Sequence, residues 1–263
     1  NTAHHFTITK YHESIQVFSR ALVDTHPIYP RLDAVTDRVP LSGFPYPLRD
    51  FLQLGGPVRP SAALRKLNRA IRVPGGTPLG LTVRLVAAHI GQTFTYRKHV
   101  TRYDSTTEDF LRLRAGVCQD FTHLMLGCLR LRGIPCRYVS GILHVRSRRD
   151  EPAQSHAWVE FHSPSHGWVA YDPTHTREVD ERYVTVAHGR HYDDVPPNKG
   201  IYRGNAGETL ATEVHTRPSE HKGVSTLHEE IQQIDLPVYQ EIPERRADRA
   251  ALLLAEEAAA QQQ

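Results

Sequence analysis

From residue 118 onward the apolar positions fall at helical intervals. Phe121, Leu124, Met125, Cys128 and Leu129 keep to three- and four-residue spacings, as one buried helical face requires. Gly133 supplies the stop, and Pro135 forbids continuation. Upstream, Ser105 and Glu108 stand at capping-box spacing before Phe110, Leu111 and Leu113, which predicts a short preceding helix. Arg114-Ala115-Gly116 is then a tight link, with Gly116 giving backbone freedom, and Cys118 falls in the first turn of its helix.

After this helix the pattern changes to alternation. Residues 136–145 read as a strand, with Tyr138, Ser140, Ile142 and His144 on one face and Val139, Gly141, Leu143 and Val145 on the other. A polar loop over 146–152 leads to a second strand at 156–161, turn residues fill 163–167, and 168–171 form a third strand. Further helices are expected at 61–71 (Leu64, Leu67, Ile71) and 79–90 (Leu79, Val83, Val86, Ile90). Seven prolines make 24–60 an irregular connector with one short helix near 48–54. Before it, Phe6-Thr7-Ile8 and Ile15-Gln16-Val17-Phe18 read as a hairpin, and after residue 216 an extension ends in a helix starting near Pro243.

The chemistry enters with Cys118. Unpaired amides and the positive end of a helix favour thiolate over thiol, and the same amides can receive the negative oxygen that develops when a carbonyl is attacked. His156 opens one strand of the predicted hairpin and Asp172 follows the other, so an antiparallel return brings these two ends together. His156 can then take the Cys118 proton and deliver it to a leaving amine, while Asp172 holds the imidazole in the useful tautomer. Singly, His156 is as well explained by capping a strand and Asp172 by starting an Asp-Pro turn. Both in order behind Cys118 favour nucleophilic catalysis.

Four segments carry a family resemblance: Ala115-Gly-Val-Cys-Gln-Asp-Phe-Thr-His-Leu, Leu131-Arg-Gly-Ile-Pro-Cys-Arg-Tyr-Val-Ser-Gly, Ser155-His-Ala-Trp-Val-Glu and Gly167-Trp-Val-Ala-Tyr-Asp-Pro-Thr. Together they resemble the core of the bacterial transglutaminase-like superfamily, whose members are often described as cysteine proteases. The match extends over 61–216. It implies an α+β, papain-like transglutaminase core, with helices packed on an antiparallel sheet and a Cys-His-Asp triad at Cys118, His156 and Asp172. It also implies that Tyr192, Asp193 and Asp194 line the substrate cleft. His191 departs from the pattern, because relatives have Asp after Gly-Arg. Family members carry an N-terminal β domain ahead of the core, and residues 1–24 read as its end.

Other residues have two readings each. Gln119 is a candidate for shaping the oxyanion site, with a solvent-facing helix position as the alternative. Asp120 complements the helix N-terminus, and Trp158 and Trp168 are core residues flanking the site. His162 and His166 are separated by a turn and share no helical face, while His188, His191 and Asp193 lack a supporting shell, so no metal or other cofactor is expected.

Composition narrows the remaining classes. A net charge of +3 is too small to imply a nucleic-acid partner, and the cluster Arg146, Arg148, Arg149 is followed by Asp150 and Glu151 with no interleaved aromatics. Its alternatives are a solvated loop or a cleft border that prefers acidic groups. No apolar run is long enough to span a bilayer. Three cysteines are an odd number, and Cys118 and Cys128 lie about 15 Å apart along one predicted helix, so no disulfide framework is expected and a cytoplasmic setting is favoured. The expected activity is cysteine-dependent acyl transfer through a thioester, from a peptide, isopeptide or glutamine side-chain amide of a peptide or protein substrate, with hydrolysis preferred over transamidation. A non-catalytic binding module on the same fold is the alternative.

Overall fold

The computed structural model describes residues 1, 5, 7–8, 15, 17–26, 29–145, 154–197, 199–200 and 212–216. The chain divides into two compact units, one of Asn1 with Asp24–Arg217, the other of Thr2–Val23 with Pro218–Gln263. Most of the second unit lies outside the described residues. So do the turn of the expected N-terminal hairpin, the 146–152 loop and the expected terminal helix.

In the first unit, the Ser61 hydroxyl accepts from the Leu64 amide and starts α1 (Ala62–Ala70). Next come α2 (Leu79–Thr93), the two-residue strand β1 (Thr95–Tyr96) and α3 (Thr107–Leu113). β2 (Ala115–Gly116) pairs parallel with β1 and leads through Val117 into α4 (Cys118–Arg130). Strands β3 (Cys136–Leu143), β4 (Gln154–Ser163), β5 (Gly167–Asp172), β6 (Arg177–Glu178) and β7 (Tyr183–Gly189) follow, then a 3-10 turn at Tyr192–Asp194. The five strands make one antiparallel sheet in the order β6-β5-β4-β3-β7. The expected short helix in the connector is a 3-10 helix, Tyr46–Leu52.

α4 is the centre of the core. Phe121, Leu124, Met125, Cys128 and Leu129 are buried on it, together with Val83, Val86 and Ile90 of α2 and Phe110 of α3. From the sheet, Cys136, Tyr138, Ala157, Val159, Phe161, Val169 and Tyr171 join this cluster, while Val139, Leu143, Trp158, Ala170 and Tyr183 form a second cluster. The two-residue period of a strand separates the sets, so both faces of the sheet are packed. The irregular connector contributes Leu32, Val35 and Val58 to the main core.

Two expectations shift in detail. The capping box before α3 is Thr106 with Asp109, one residue later than expected: the Thr106 hydroxyl accepts from the Asp109 amide and the Asp109 carboxylate from the Thr106 amide. Ser105 instead accepts from the Arg102 amide and closes the preceding turn. In the link to α4 it is Arg114 that adopts the left-handed conformation, with φ 54°. Gly116 is required for space, since a Cβ there would collide with the Asp120 carboxylate and the Phe110 ring.

Candidate active site

Cys118 is the first residue of α4 and is partly exposed. Val117 has no side-chain oxygen with which to cap the helix, so the buried Asp120 serves: its Oδ2 accepts from the Val117 amide at 2.8 Å and from the Thr101 hydroxyl at 2.7 Å. The Val117 carbonyl receives the Asp120 and Phe121 amides, which leaves the Cys118 and Gln119 amides ahead of the helical ladder. Burial raises the Asp120 pKa even though those hydrogen bonds pull it down.

Register brings the histidine and the aspartate together. Val159 of β4 pairs with Tyr171 of β5, so the next step sets Trp158 opposite Asp172, with His156 two residues along on the same face. His156 Nε2 donates to Asp172 Oδ2 at 2.8 Å. With Nε2 engaged by Asp172, Nδ1 is the ring nitrogen left for Cys118, whose influence on His156 shows in the raised pKa. Burial alone lowers the His156 pKa, but the bonds to Asp172 and Cys118 and the two negative charges outweigh it and raise it to about 9. His156 is 7 % exposed, and its ring is stacked toward Trp158 with centroids 6.3 Å apart.

Asp172 is fully buried and accepts five hydrogen bonds. Oδ1 takes the amides of Thr174 and His175, at 2.8 and 3.3 Å, closing the Asp-Pro turn. Oδ2 takes His156 Nε2, His175 Nδ1 at 2.7 Å and the Tyr183 hydroxyl at 2.7 Å. Burial would raise the Asp172 pKa, yet these donors hold it well below the usual carboxylate range. His175 and Tyr183 were not foreseen. The only local signal was Asp-Pro-Thr-His itself, a turn in which the third residue after Asp can fold back onto it.

The ligand atoms of His156, Asp172 and His175 lie within 4.8 Å of one another, as a metal site would require. The same contacts are those of hydrogen bonds to one carboxylate oxygen, which the Tyr183 hydroxyl shares. A second group, Ser163, His166 and Asp37, has the composition of a serine triad in the wrong order. The Ser163 hydroxyl donates to Asp37 and lies 3.2 Å from His166 Nδ1, so Asp37 binds the serine instead of orienting the histidine. Ser163 is also fully buried, and the group ties Asp37 to the β4–β5 turn.

The remaining sequence candidates are spread around α4. Gln119 Nε2 donates to the Tyr103 carbonyl at 2.8 Å, fastening the loop ahead of α3 to the helix start. The Tyr192 amide donates to the buried His123 Nε2 at 3.2 Å, and its ring meets Tyr138 edge-on at 6.3 Å. Burial pushes the Tyr138 pKa up, and the nearby Cys118 and Tyr192 add to it. Asp194 is committed to Arg190, whose Nε and a terminal nitrogen both donate at 2.9 Å. Asp193 faces His191 at 3.6 Å. His191 packs against Gly56, where a Cβ would come within 2.7 Å of the ring. Trp158 is buried as expected, whereas Trp168 is half-buried beneath the Arg137 guanidinium, 4.3 Å from the ring centroid.

Comparison with known proteins places this arrangement. The family model described as Transglutaminase-like superfamily matches residues 65–173, a span holding Cys118, His156 and Asp172 and ending before His175 and Tyr183. An uncharacterized protein of Mycobacterium tuberculosis (strain H37Rv) is 31% identical over 237 residues, covering 84% of this chain and 75% of the relative. The chain belongs to the transglutaminase-like superfamily. A protein-glutamine gamma-glutamyltransferase of Pseudomonas aeruginosa is 28% identical over 130 residues, which is 45% of this chain and 19% of that protein. A solved structure from Cytophaga hutchinsonii, described as a candidate cysteine protease, superposes with a TM-score of 0.53 at 23% identity. The match covers 63% of this chain and spans 55% of that one, and it bears on the fold: mixed helices with an antiparallel sheet, as in other transglutaminase-like proteins.

Proposed function

We propose that this chain is a cysteine-dependent acyl-transfer enzyme that cleaves an amide of a peptide or protein through a thioester on Cys118. The observation that carries the reading is the His156 imidazole, held by Asp172 at Nε2 and close enough to Cys118 for the thiol to help raise its pKa. In the first half-reaction the Cys118 thiolate attacks the carbonyl carbon. The oxygen takes the negative charge opposite the Cys118 and Gln119 amides. The C–N bond breaks, the amine leaves with the proton from His156, and the thioester remains. In the second, His156 takes a proton from water as hydroxide adds to the thioester. The C–S bond breaks, a carboxylic acid leaves, and the thiolate–imidazolium pair is restored.

Water is the favoured acceptor, because Cys118 and His175 are both solvent-accessible among the described residues. Transamidation is the second reading. It is favoured by the similarity to the Pseudomonas aeruginosa protein-glutamine gamma-glutamyltransferase and differs only in that an amine replaces water. Incubation with glutamine-containing peptides, with and without a primary amine, followed by mass spectrometry, separates the two. Hydrolysis or deamidation products in the presence of amine support the first reading, and exclusive amine incorporation overturns it.

A further inference from the structure

Phe121, on the helix that Cys118 opens, and His175 both line a cavity of about 390 Å³ that the chemistry above does not use. Phe94 and Phe121 form its floor, Tyr96 a wall, and Gln92, Thr174 and His175 part of its rim. The floor is rigid, since Phe94 and Phe121 are 5 % and 2 % exposed and both pack on Phe110, at centroid distances of 4.7 and 5.1 Å. Phe121 lies three residues after Cys118 on α4, so the two side chains share a helix face. His175 joins the cavity to the other half of the site: its Nδ1 is bound to Asp172, and its ring centroid is 5.2 Å from that of His156.

We propose that this cavity is the specificity subsite, taking one neutral aromatic side chain of the peptide that Cys118 acylates. This rests on the acyl-transfer reading above. The volume is at the low end for small-ligand sites and suits a single large side chain. No Asp, Glu, Lys or Arg lines it, so a charged side chain finds no ionic partner there. The aromatic floor offers ring-to-ring contact. With Nδ1 committed to Asp172, His175 has Nε2 left to bond a substrate. A tyrosine side chain, apolar along its ring and hydroxylated at its tip, matches both halves.

Amidated chloroacetyl derivatives of tyrosine, phenylalanine, aspartate and lysine test the subsite by the rate at which they alkylate Cys118. The thiolate sulfur bonds to the chloromethyl carbon, the C–Cl bond breaks and chloride leaves. The tyrosine and phenylalanine reagents are expected to react at least about tenfold faster than the aspartate and lysine reagents, each relative to iodoacetamide. Ala88→Trp, which fills the cavity from α2, should collapse that ratio, and Gln92→Phe on the same helix provides a second filling. Equal rates for all four reagents, with Cys118 still fast toward iodoacetamide, overturn the subsite and leave the acyl-transfer reading standing. A Cys118 no faster than Cys128 and Cys136 toward every reagent removes that reading, and the subsite with it.

Discussion

His156 and His175 converge on the same oxygen of Asp172, their nitrogens 2.8 and 2.7 Å from it. One buried carboxylate thus orients the proposed acid–base and also fixes the residue at the rim of the neighbouring cavity. Asp172→Asn keeps the volume but replaces an oxygen with a donor, so His156 loses the partner that sets its tautomer. Turnover is expected to fall on the order of 10³-fold or more with the fold intact. Asp172→Ala, which leaves buried donors unmatched, is expected to cost about 3–5 kcal/mol in urea unfolding.

Tyr183 is a lesser support for the same carboxylate. Its hydroxyl donates to Asp172 and accepts from Arg177 Nε, both at 2.7 Å. Tyr183→Phe removes both bonds while four other donors still hold Asp172. Stability should fall by about 1.5–3 kcal/mol, the scale of a hydrogen bond to a charged group, and turnover should drop far less than in Asp172→Asn. A loss of turnover equal to that of Asp172→Asn would mean that Tyr183 acts in the chemistry itself.

The His156 pKa, raised to about 9 from 6.5, has a sign in both activity and stability. The imidazolium is the proton donor to the leaving amine, so kcat/KM should decline at alkaline pH with a limb near 9, read as belonging to the His156–Cys118 pair. For stability, the folded pKa lies above the unfolded one. The contribution is therefore complete below about 6.5 and lost as pH rises through about 9. Asp172 behaves oppositely, its contribution present above about 3.8 and lost as pH falls through its lower folded value. Unfolding free energies across pH 6 to 10 for the protein and for His156→Gln check the first window through their difference, which should shrink as pH rises to about 9, because Cys128 and Cys136 add the same alkaline decline to both.

What the sequence made legible follows from how local each signal is. The α4 helix, its stop at Gly133 and the strands bearing His156 and Asp172 are written in spacing that needs no tertiary knowledge. The Thr106–Asp109 box could not be told from Ser105–Glu108, because both pairs have the right interval and the choice depends on the Arg102 turn. β1 and β2 are two residues each, too short for any period to register. β7 is an edge strand whose burial does not alternate, so its pairing with β3 left no pattern. Gln119 and Asp194 are cleft candidates by position alone, and that their polar atoms meet Tyr103 and Arg190 is visible only in the fold. His175 acquires its role only when β5 and the following turn deliver it to Asp172.

Thiol reactivity separates the enzyme from a binding module on the same fold. Burial pushes the Cys128 thiol up to about 12 and the Cys136 thiol up to about 11, so neither holds appreciable thiolate at neutral pH. Iodoacetamide at pH 7 should therefore label Cys118 first, as mapped by peptide mass spectrometry. Cys118→Ala should abolish turnover with unchanged circular dichroism, since the side chain is partly exposed and its loss opens no core cavity. Slow, uniform labelling of all three thiols would favour the binding module.

The close packing behind His156 gives a last test, away from the reacting atoms. Gly141 of β3 pairs with His156 of β4 in the sheet register. A Cβ at 141 would collide with the Trp158 ring and the Val184 carbonyl. The carbonyl belongs to β7 and cannot yield without moving that strand, while the ring belongs to the second core cluster beside His156. Gly141→Ala is thus an overpacking change, expected to cost about 1–3 kcal/mol. Because the strain falls on the strand that carries His156, turnover should decline along with the melting temperature. Gly133→Ala, at φ 72° with open space around its Cα, should lower stability through backbone strain alone and leave turnover unchanged at temperatures below melting. Equal effects of the two substitutions on turnover would show that the packing behind His156 does not govern its position.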